Sequence, residues 1–91
     1  MSIQWLFDVI EDRKKNPTEK SYTSGLFAEG LPRIAQKVGE EGTEVVVAAL
    51  VQNDQRLIEE IADLTFHTLV LLSERGLSPA HIVAELEKRH K

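Results

Sequence analysis

Apolar residues recur at helical spacing along most of the chain, which indicates a protein built from helices. The first helix is predicted from Ser2 to about Lys15, because an Asn-Pro pair follows and proline disfavours a helical conformation in the residue before it. Its apolar stripe is formed by Ile3, Leu6, Phe7 and Ile10. Ser2 is placed to cap the first turn with its hydroxyl group.

A polar stretch separates this helix from the rest of the chain. Residues 18–25 are aperiodic and predict a loop, and residues 26–28 predict a short helical turn that ends at Gly30. The longer helices that follow are predicted over about 31–52, over about 54–75 and from Ser78-Pro79 onward.

The two long helices are too apolar for one small chain to cover. Residues 45–51 are apolar all round, so we expect this stretch to be buried on most sides, and residues 64–72 are similar. A short chain buries a modest fraction of its surface, so we expect a homodimer. The predicted fold is all-α, with four main helices plus a short one, in a single domain over residues 1–91 that pairs into a four-helix-bundle-like core.

Composition narrows the class of protein. Cysteine is absent, which excludes disulfides and thiolate metal sites. Asp and Glu exceed Lys and Arg by 15 to 11, for a net charge of −4, which disfavours a nucleic-acid backbone as partner. No apolar run reaches the ~20 residues of a membrane span, and the N-terminus lacks the basic and apolar regions of a signal peptide. We therefore expect a cytoplasmic protein with no membrane partner.

Charged residues gather on one side of the first long helix. At helical spacing these residues share a face: Arg33, Lys37, Glu40, Glu41 and Glu44. One interpretation is a solvated face of ion pairs, each of which stabilises little. The other is a site, favoured by two helix-weakening glycines, Gly39 and Gly42, that suggest a close approach by another group.

A second set of polar residues interrupts the next helix. Glu60, Asp63 and His67 share one side of it, and Asp63 lies between apolar neighbours. Asp63 is interpreted either as half of a structural ion pair or as a metal ligand, because a lone buried carboxylate is unfavourable. His67 is interpreted as a hydrogen-bonded core residue or as a group that orients a carboxylate. Paired carboxylates on two facing helices predict a site for a hard cation.

The polar stretch before Gly25 also carries donors. Lys20, Ser21, Tyr22 and Thr23 all have side chains that can donate to phosphate oxygens. The alternative is an ordinary connector in which Thr23 or Ser24 caps the next helix.

Three segments give the chain a resemblance to a known family. They are Glu19-Lys20-Ser21-Tyr22-Thr23, then residues 37–46 with the sequence KVGEEGTEVV, then Glu60-Ile61-Ala62-Asp63-Leu64 with His67. Together they resemble the phosphoribosyl-ATP pyrophosphatases of histidine biosynthesis, within the MazG-like, all-α nucleotide pyrophosphohydrolases. One departure is Gly42, where the family more often has alanine.

The resemblance implies an activity and a set of residue roles. The implied reaction is Mg²⁺-dependent hydrolysis of phosphoribosyl-ATP to phosphoribosyl-AMP and pyrophosphate, by a dimer of intertwined helices whose clefts are bordered by both subunits. The implied metal ligands are Glu41, Glu44, Glu60 and Asp63. Glu40 is a fifth acid, for a further metal or for the attacking water. The implied phosphate-binding residues are Lys20, Arg33 and Lys37, with Ser21, Tyr22 and Thr23 as weaker candidates. His67 is expected to lie behind the metal ligands and to orient one of them.

Two other classes of function stay open. One is an enzyme of the same superfamily that removes pyrophosphate from a different nucleoside triphosphate. The other is a helical dimerisation module without activity, in which the acidic residues are solvated and divalent metal has no effect on stability.

Overall fold

A computed structural model describes residues 1–90, and all of their regular structure is helical, which confirms the all-α class. The helices are α1 (Ile3–Lys15), α2 (Tyr22–Glu29), α3 (Leu31–Val51), α4 (Asp54–Glu74) and α5 (Pro79–Arg89). Within the described residues, none of these helices combines the length and apolar character that a membrane crossing requires.

The helix ends carry the expected capping chemistry. The Ser2 hydroxyl accepts a hydrogen bond from the backbone N–H of Trp5, so α1 begins at its predicted N-cap. The Asn53 side chain accepts one from the backbone N–H of Arg56, and α4 begins at Asp54, as predicted. Gly76 has φ +71°, the left-handed conformation that favours glycine just after a helix.

The second helix begins earlier than the sequence predicted. We expected a loop to Gly25, but α2 begins at Tyr22, and its N-cap is Ser21 rather than Thr23 or Ser24. The Ser21 hydroxyl accepts the Ser24 N–H at 3.1 Å. Ser24 is itself buried and donates to the Arg13 carbonyl, so tertiary contacts stabilise a helix whose sequence shows no periodic apolar pattern.

The core lies at one end of the molecule. Its buried side chains come from α1, α2, the start of α3 and the end of α4: Phe7, Ile10, Leu26, Ile34, Leu69, Val70 and Leu72. Ile10, Ile34 and Val70 are completely buried or nearly so. A polar cluster stabilises the same end, where the fully buried Ser73 donates to Glu11 at 2.6 Å and its carbonyl accepts from Lys14.

The other end is a helical hairpin that extends away from this core. We define the hairpin tip as residues 45–61, which comprise the end of α3, the turn and the start of α4. The prediction that residues 45–51 are buried on most sides is wrong for the single chain: of this run only Ala48 is buried, and Leu50 is 77% exposed. The physical reason is that α1, α2 and α5 are too short and too far along the hairpin to cover the tip.

Candidate metal centre

The acidic residues of α3 and α4 meet where the hairpin leaves the core. Helices joined by a two-residue turn pack antiparallel, and this arrangement brings together Glu41 of α3 with Glu60 and Asp63 of α4. One carboxylate oxygen from each residue lies within 4.8 Å of the other two. Glu41 and Glu60 are buried, with 6% and 5% exposure.

Asp63 differs from its expected environment. Its position between apolar neighbours suggested partial burial, but the side chain is exposed and forms no ion pair within residues 1–90. The neighbours Ala62 and Leu64 lie on other sides of α4, so their apolar character does not predict the burial of Asp63. The structural ion pair considered for Asp63 is therefore not formed in the single chain.

Each buried glutamate is held by a cation four residues earlier on its own helix. Lys37 Nζ lies 3.2 Å from Glu41 Oε1, and the Arg56 guanidinium contacts Glu60 Oε1. The hydrogen bond to Glu41 raises the pKa of Lys37, which keeps the ammonium group charged. In both glutamates the second oxygen, Oε2, is buried and has no hydrogen-bond partner.

These two oxygens fit a divalent cation. A buried carboxylate oxygen is unfavourable without a partner, so oxygens of this kind bind a donor group, an ordered water or an ion. Carboxylate oxygens are the donors that hard cations prefer. With Asp63 beside them, Glu41 and Glu60 present the oxygens that such an ion would bind.

Glu44 belongs to the same electrostatic cluster although it is exposed. A hydrogen bond shared with the Glu60 carboxylate, and then one shared with Glu41, raise its pKa from 4.5 to about 7, and the negative charges of both neighbours act in the same direction. Glu44 and Glu60 also line a pocket of about 220 Å³ on the side of the hairpin.

Glu40 faces a different group of charges. Its carboxylate is exposed, lies 3.6 Å from both Arg33 and Lys37, and accepts a hydrogen bond from Gln36. These contacts correspond to the ion-paired face considered from the sequence. No close approach explains the flanking glycines either, since a Cβ added at Gly39 or Gly42 would meet nothing within 4 Å among the described residues.

His67 connects α4 to the start of α2. Its Nδ1 lies 2.7 Å from the Asp63 carbonyl, which can only accept, so Nδ1 carries the proton. Nε2 must then accept the hydrogen bond from the Tyr22 hydroxyl at 2.9 Å. Neither bond reaches a carboxylate side chain, so these contacts match the hydrogen-bonded core residue rather than a group that orients a metal ligand.

The remaining residues predicted to bind phosphate are placed differently from one another. Tyr22 contacts α4, where its hydroxyl bonds to His67 and its ring packs against Phe66. Ser21 uses its hydroxyl to cap α2. Lys20 is exposed and makes no ion pair within the described chain, and no contact joins Lys20 or Thr23 to the carboxylates there.

Arg56 is the residue that the sequence interpretation missed. It contacts both Glu59 and Glu60 and lines the same pocket as Glu44. The signal was present, since Arg56 precedes Glu60 by the same four positions that separate Lys37 from Glu41.

Comparison with known proteins identifies the family. A family model described as phosphoribosyl-ATP pyrophosphohydrolase matches residues 4–90. The chain belongs to this family. The phosphoribosyl-ATP pyrophosphohydrolase match covers α1 from its second residue, all of α2 to α5, and the acidic cluster of Glu41, Glu60 and Asp63.

Relatives within the family are about half identical to the chain. A phosphoribosyl-ATP pyrophosphatase of Clostridium botulinum is 49% identical over 89 residues, which cover 98% of this chain and 81% of the relative. One of Leptospira biflexa is 52% identical over 85 residues, or 93% and 92% of the two chains. The histidine biosynthesis bifunctional protein HisIE of Xylella fastidiosa is 49% identical over 83 residues, 91% of this chain and 40% of that protein. The family's domain therefore occurs both alone and within a longer protein.

Proposed function

We propose that this protein hydrolyses phosphoribosyl-ATP to phosphoribosyl-AMP and pyrophosphate, with Mg²⁺ bound at the carboxylates of α3 and α4. Family membership supports the reaction class, since the similar relatives carry the name phosphoribosyl-ATP pyrophosphatase. The observation that carries the proposal is the pair of buried, unpartnered Oε2 atoms of Glu41 and Glu60 beside Asp63.

In this proposal the residues that hold Mg²⁺ are Glu41, Glu44, Glu60 and Asp63. Bound there, Mg²⁺ supplies charge neutralisation for the polyphosphate and polarises its oxygens. The buried glutamates fix the geometry, because packing and one cation each restrict their side chains. Glu44 and Asp63 are exposed and therefore face the side from which substrate arrives.

Cationic and hydroxyl groups bind the substrate in the same proposal. Arg33 and Lys37 are the phosphate-binding cations on α3, and Glu40, which pairs with both, holds them next to the carboxylates. Glu40 is also the acid proposed to accept a proton from the attacking water or to bind a further metal. Tyr22, fixed by His67, supplies a hydroxyl at the edge of the site. Lys20 and Ser21 approach substrate from the loop before α2, and Thr23 does so from the first turn of α2.

We further propose a homodimer as the working form. The hairpin tip exposes six large apolar side chains: Val46, Val47, Leu50, Val51, Ile58 and Ile61. A contiguous apolar surface of this kind is typical of an interface. A second copy that covers the tip would also close the open side of the pocket at Glu44 and Glu60.

The deciding experiment is a direct assay of pyrophosphate release from phosphoribosyl-ATP. A panel of ordinary nucleoside triphosphates serves as comparison, and each reaction is run with Mg²⁺ and with chelator. We expect Mg²⁺-dependent release, fastest with phosphoribosyl-ATP. Faster release from another nucleotide would show that the protein acts on a different substrate of the superfamily. No release from any nucleotide would support the alternative of a dimerisation module without activity.

A further inference from the structure

The two buried glutamates share one arrangement, but their cations differ in exposure. Lys37, which holds Glu41, has a side chain that is 18% exposed, and it lies between Glu40 and Glu41. Arg56, which holds Glu60, is 44% exposed, and its other partner is the exposed Glu59. Arg56 is therefore a cation at the edge of the metal centre, with one side in solvent.

The position of Arg56 gives it a direct relation to the metal ligands. It lines the pocket of about 220 Å³ with Glu44 and Glu60, and it contacts the Oε1 atom of Glu60 whose Oε2 atom is buried and unpartnered. A guanidinium group on one oxygen and a divalent ion on the other would be separated by a single carboxylate. Positive charges that close repel each other strongly in a partly buried site.

We propose that Arg56 is an internal counter-ion for Glu60 that a divalent cation displaces. The inference rests on the proposed metal centre. Without metal, Arg56 neutralises the buried carboxylate of Glu60. When a divalent cation binds the carboxylates, Arg56 releases Oε1 and turns toward solvent, where Glu59 remains a partner.

The direction of the effect follows from burial. Glu60 is already restricted by packing, so loss of the Arg56 contact frees its side chain only slightly. The electrostatic change is larger, because Arg56 both competes for the carboxylate and repels an incoming cation. Removal of the charge should therefore strengthen metal binding while it weakens the metal-free fold.

The test measures Mg²⁺ binding directly by calorimetry, in the same buffer and at the same pH for every variant. The variants are Arg56→Gln, which removes the charge, and Arg56→Lys, which retains it. Arg89→Gln is the matched control, because Arg89 pairs with Glu85 at the same four-residue spacing. This pair lies in α5, which contributes no residue to the carboxylate site. We expect Arg56→Gln to bind Mg²⁺ roughly threefold to thirtyfold more tightly, with Arg56→Lys and Arg89→Gln close to the parent.

Each outcome decides one question. Unchanged or weaker Mg²⁺ binding by folded Arg56→Gln would overturn the counter-ion role, as would equally tight binding by Arg56→Lys. No Mg²⁺ binding by the parent protein would instead remove the proposed metal centre. If Arg56→Gln does not fold, the side-chain NMR signal of Arg56 in the parent protein is measured instead. This signal is assigned by its loss in Arg56→Lys. It should shift on addition of Mg²⁺, and an unchanged signal would overturn the proposal.

Discussion

At the scale of single residues, Glu44 makes the stability of the metal-free protein depend on pH. Its folded pKa of about 7 lies above the ordinary 4.5, so the folded state binds the proton more tightly than the unfolded state. The stabilisation from this proton is complete below about pH 4.5 and is lost as pH rises to about 7. We expect Glu44→Gln to remove this loss, so that in urea unfolding at about pH 8 the variant is as stable as the parent or more stable. Glu87→Gln, at an exposed site in α5, should leave the pH profile unchanged.

The ligand role of Asp63 gives a second prediction at this scale. Asp63 is exposed and unpaired in the described chain, so Asp63→Asn should leave metal-free stability within about 0.5 kcal/mol of the parent. Activity should be abolished, since an amide is a poorer ligand for a hard dication, and Mg²⁺ should stabilise the parent but not the variant. Urea melts with and without Mg²⁺, alongside the pyrophosphate assay, check both parts. Retained turnover would remove Asp63 from the site.

Alanine variants of Lys37 and Arg33 should have similar effects on kinetics but different effects on stability. Both are proposed to bind phosphate, so alanine at either should lower kcat/KM by roughly 1.5–3 kcal/mol, the range for a hydrogen bond to a charged group. Only Lys37 holds a buried carboxylate, that of Glu41, so Lys37→Ala should also destabilise the fold by about 1–3 kcal/mol. Arg33, which pairs with exposed Glu29 and Glu40, should not. Thermal melts of the two variants and steady-state kinetics at fixed Mg²⁺ distinguish these results, and equal melting points would contradict the assignment.

The chemistry of the site was more predictable than its environment. Helical spacing alone placed Glu41 with Glu44 and Glu60 with Asp63, because such spacing fixes which side chains share a face. Burial depends instead on what packs against that face. The structure therefore corrected the expected burial of Asp63, and it showed that Glu41 and Glu60 carry the unpartnered oxygens.

At the scale of the helices, Gly42 offers a stability test within α3. A Cβ there would meet no atom within 4 Å among the described residues, so alanine fits without strain. Glycine within a helix is about 0.5–1 kcal/mol less favourable than alanine. We expect Gly42→Ala to raise the free energy of unfolding by about that amount with activity retained. Urea unfolding checks the first part and the pyrophosphate assay the second. A loss of stability would show that another surface packs closely on Gly42, and Gly25→Ala in α2, where the space is also open, is the comparison.

The helix ends show which local signals are sufficient. Ser2 and Ser78-Pro79 marked the starts of α1 and α5 correctly, because a side-chain cap is a local interaction. The start of α2 was missed, since its stabilisation comes from the contact between Ser24 and Arg13 of the preceding helix. That contact is tertiary, so it cannot be predicted from the pattern of apolar residues in 18–25.

At the scale of the whole molecule, the core is distributed unevenly along the long helices. Buried apolar residues gather at the end built by α1, α2, the start of α3 and the end of α4, whereas the hairpin tip carries large apolar side chains in solvent. A small chain cannot cover two long apolar helices along their full length. The apolar run at residues 45–51 predicted burial that the single chain does not supply, and its burial against a second copy stays a prediction.

The homodimer is the last prediction, and it concerns which apolar surface pairs. Leu50, at the hairpin tip, is 77% exposed, and an aspartate there would place a charge in the proposed interface. We expect sedimentation to show a dimer for the parent at micromolar concentration and a monomer for Leu50→Asp, with helical content retained at the core end. Leu86→Asp, on the exposed side of α5, is the matched control and should remain dimeric. A parent that sediments only as a monomer would refute the dimer, whereas dissociation by Leu86→Asp alone would move the interface to α5. Because the tip borders the pocket at Glu44 and Glu60, the monomeric Leu50→Asp variant should also lose activity, which would connect the missing cover of the hairpin to the chemistry of the site.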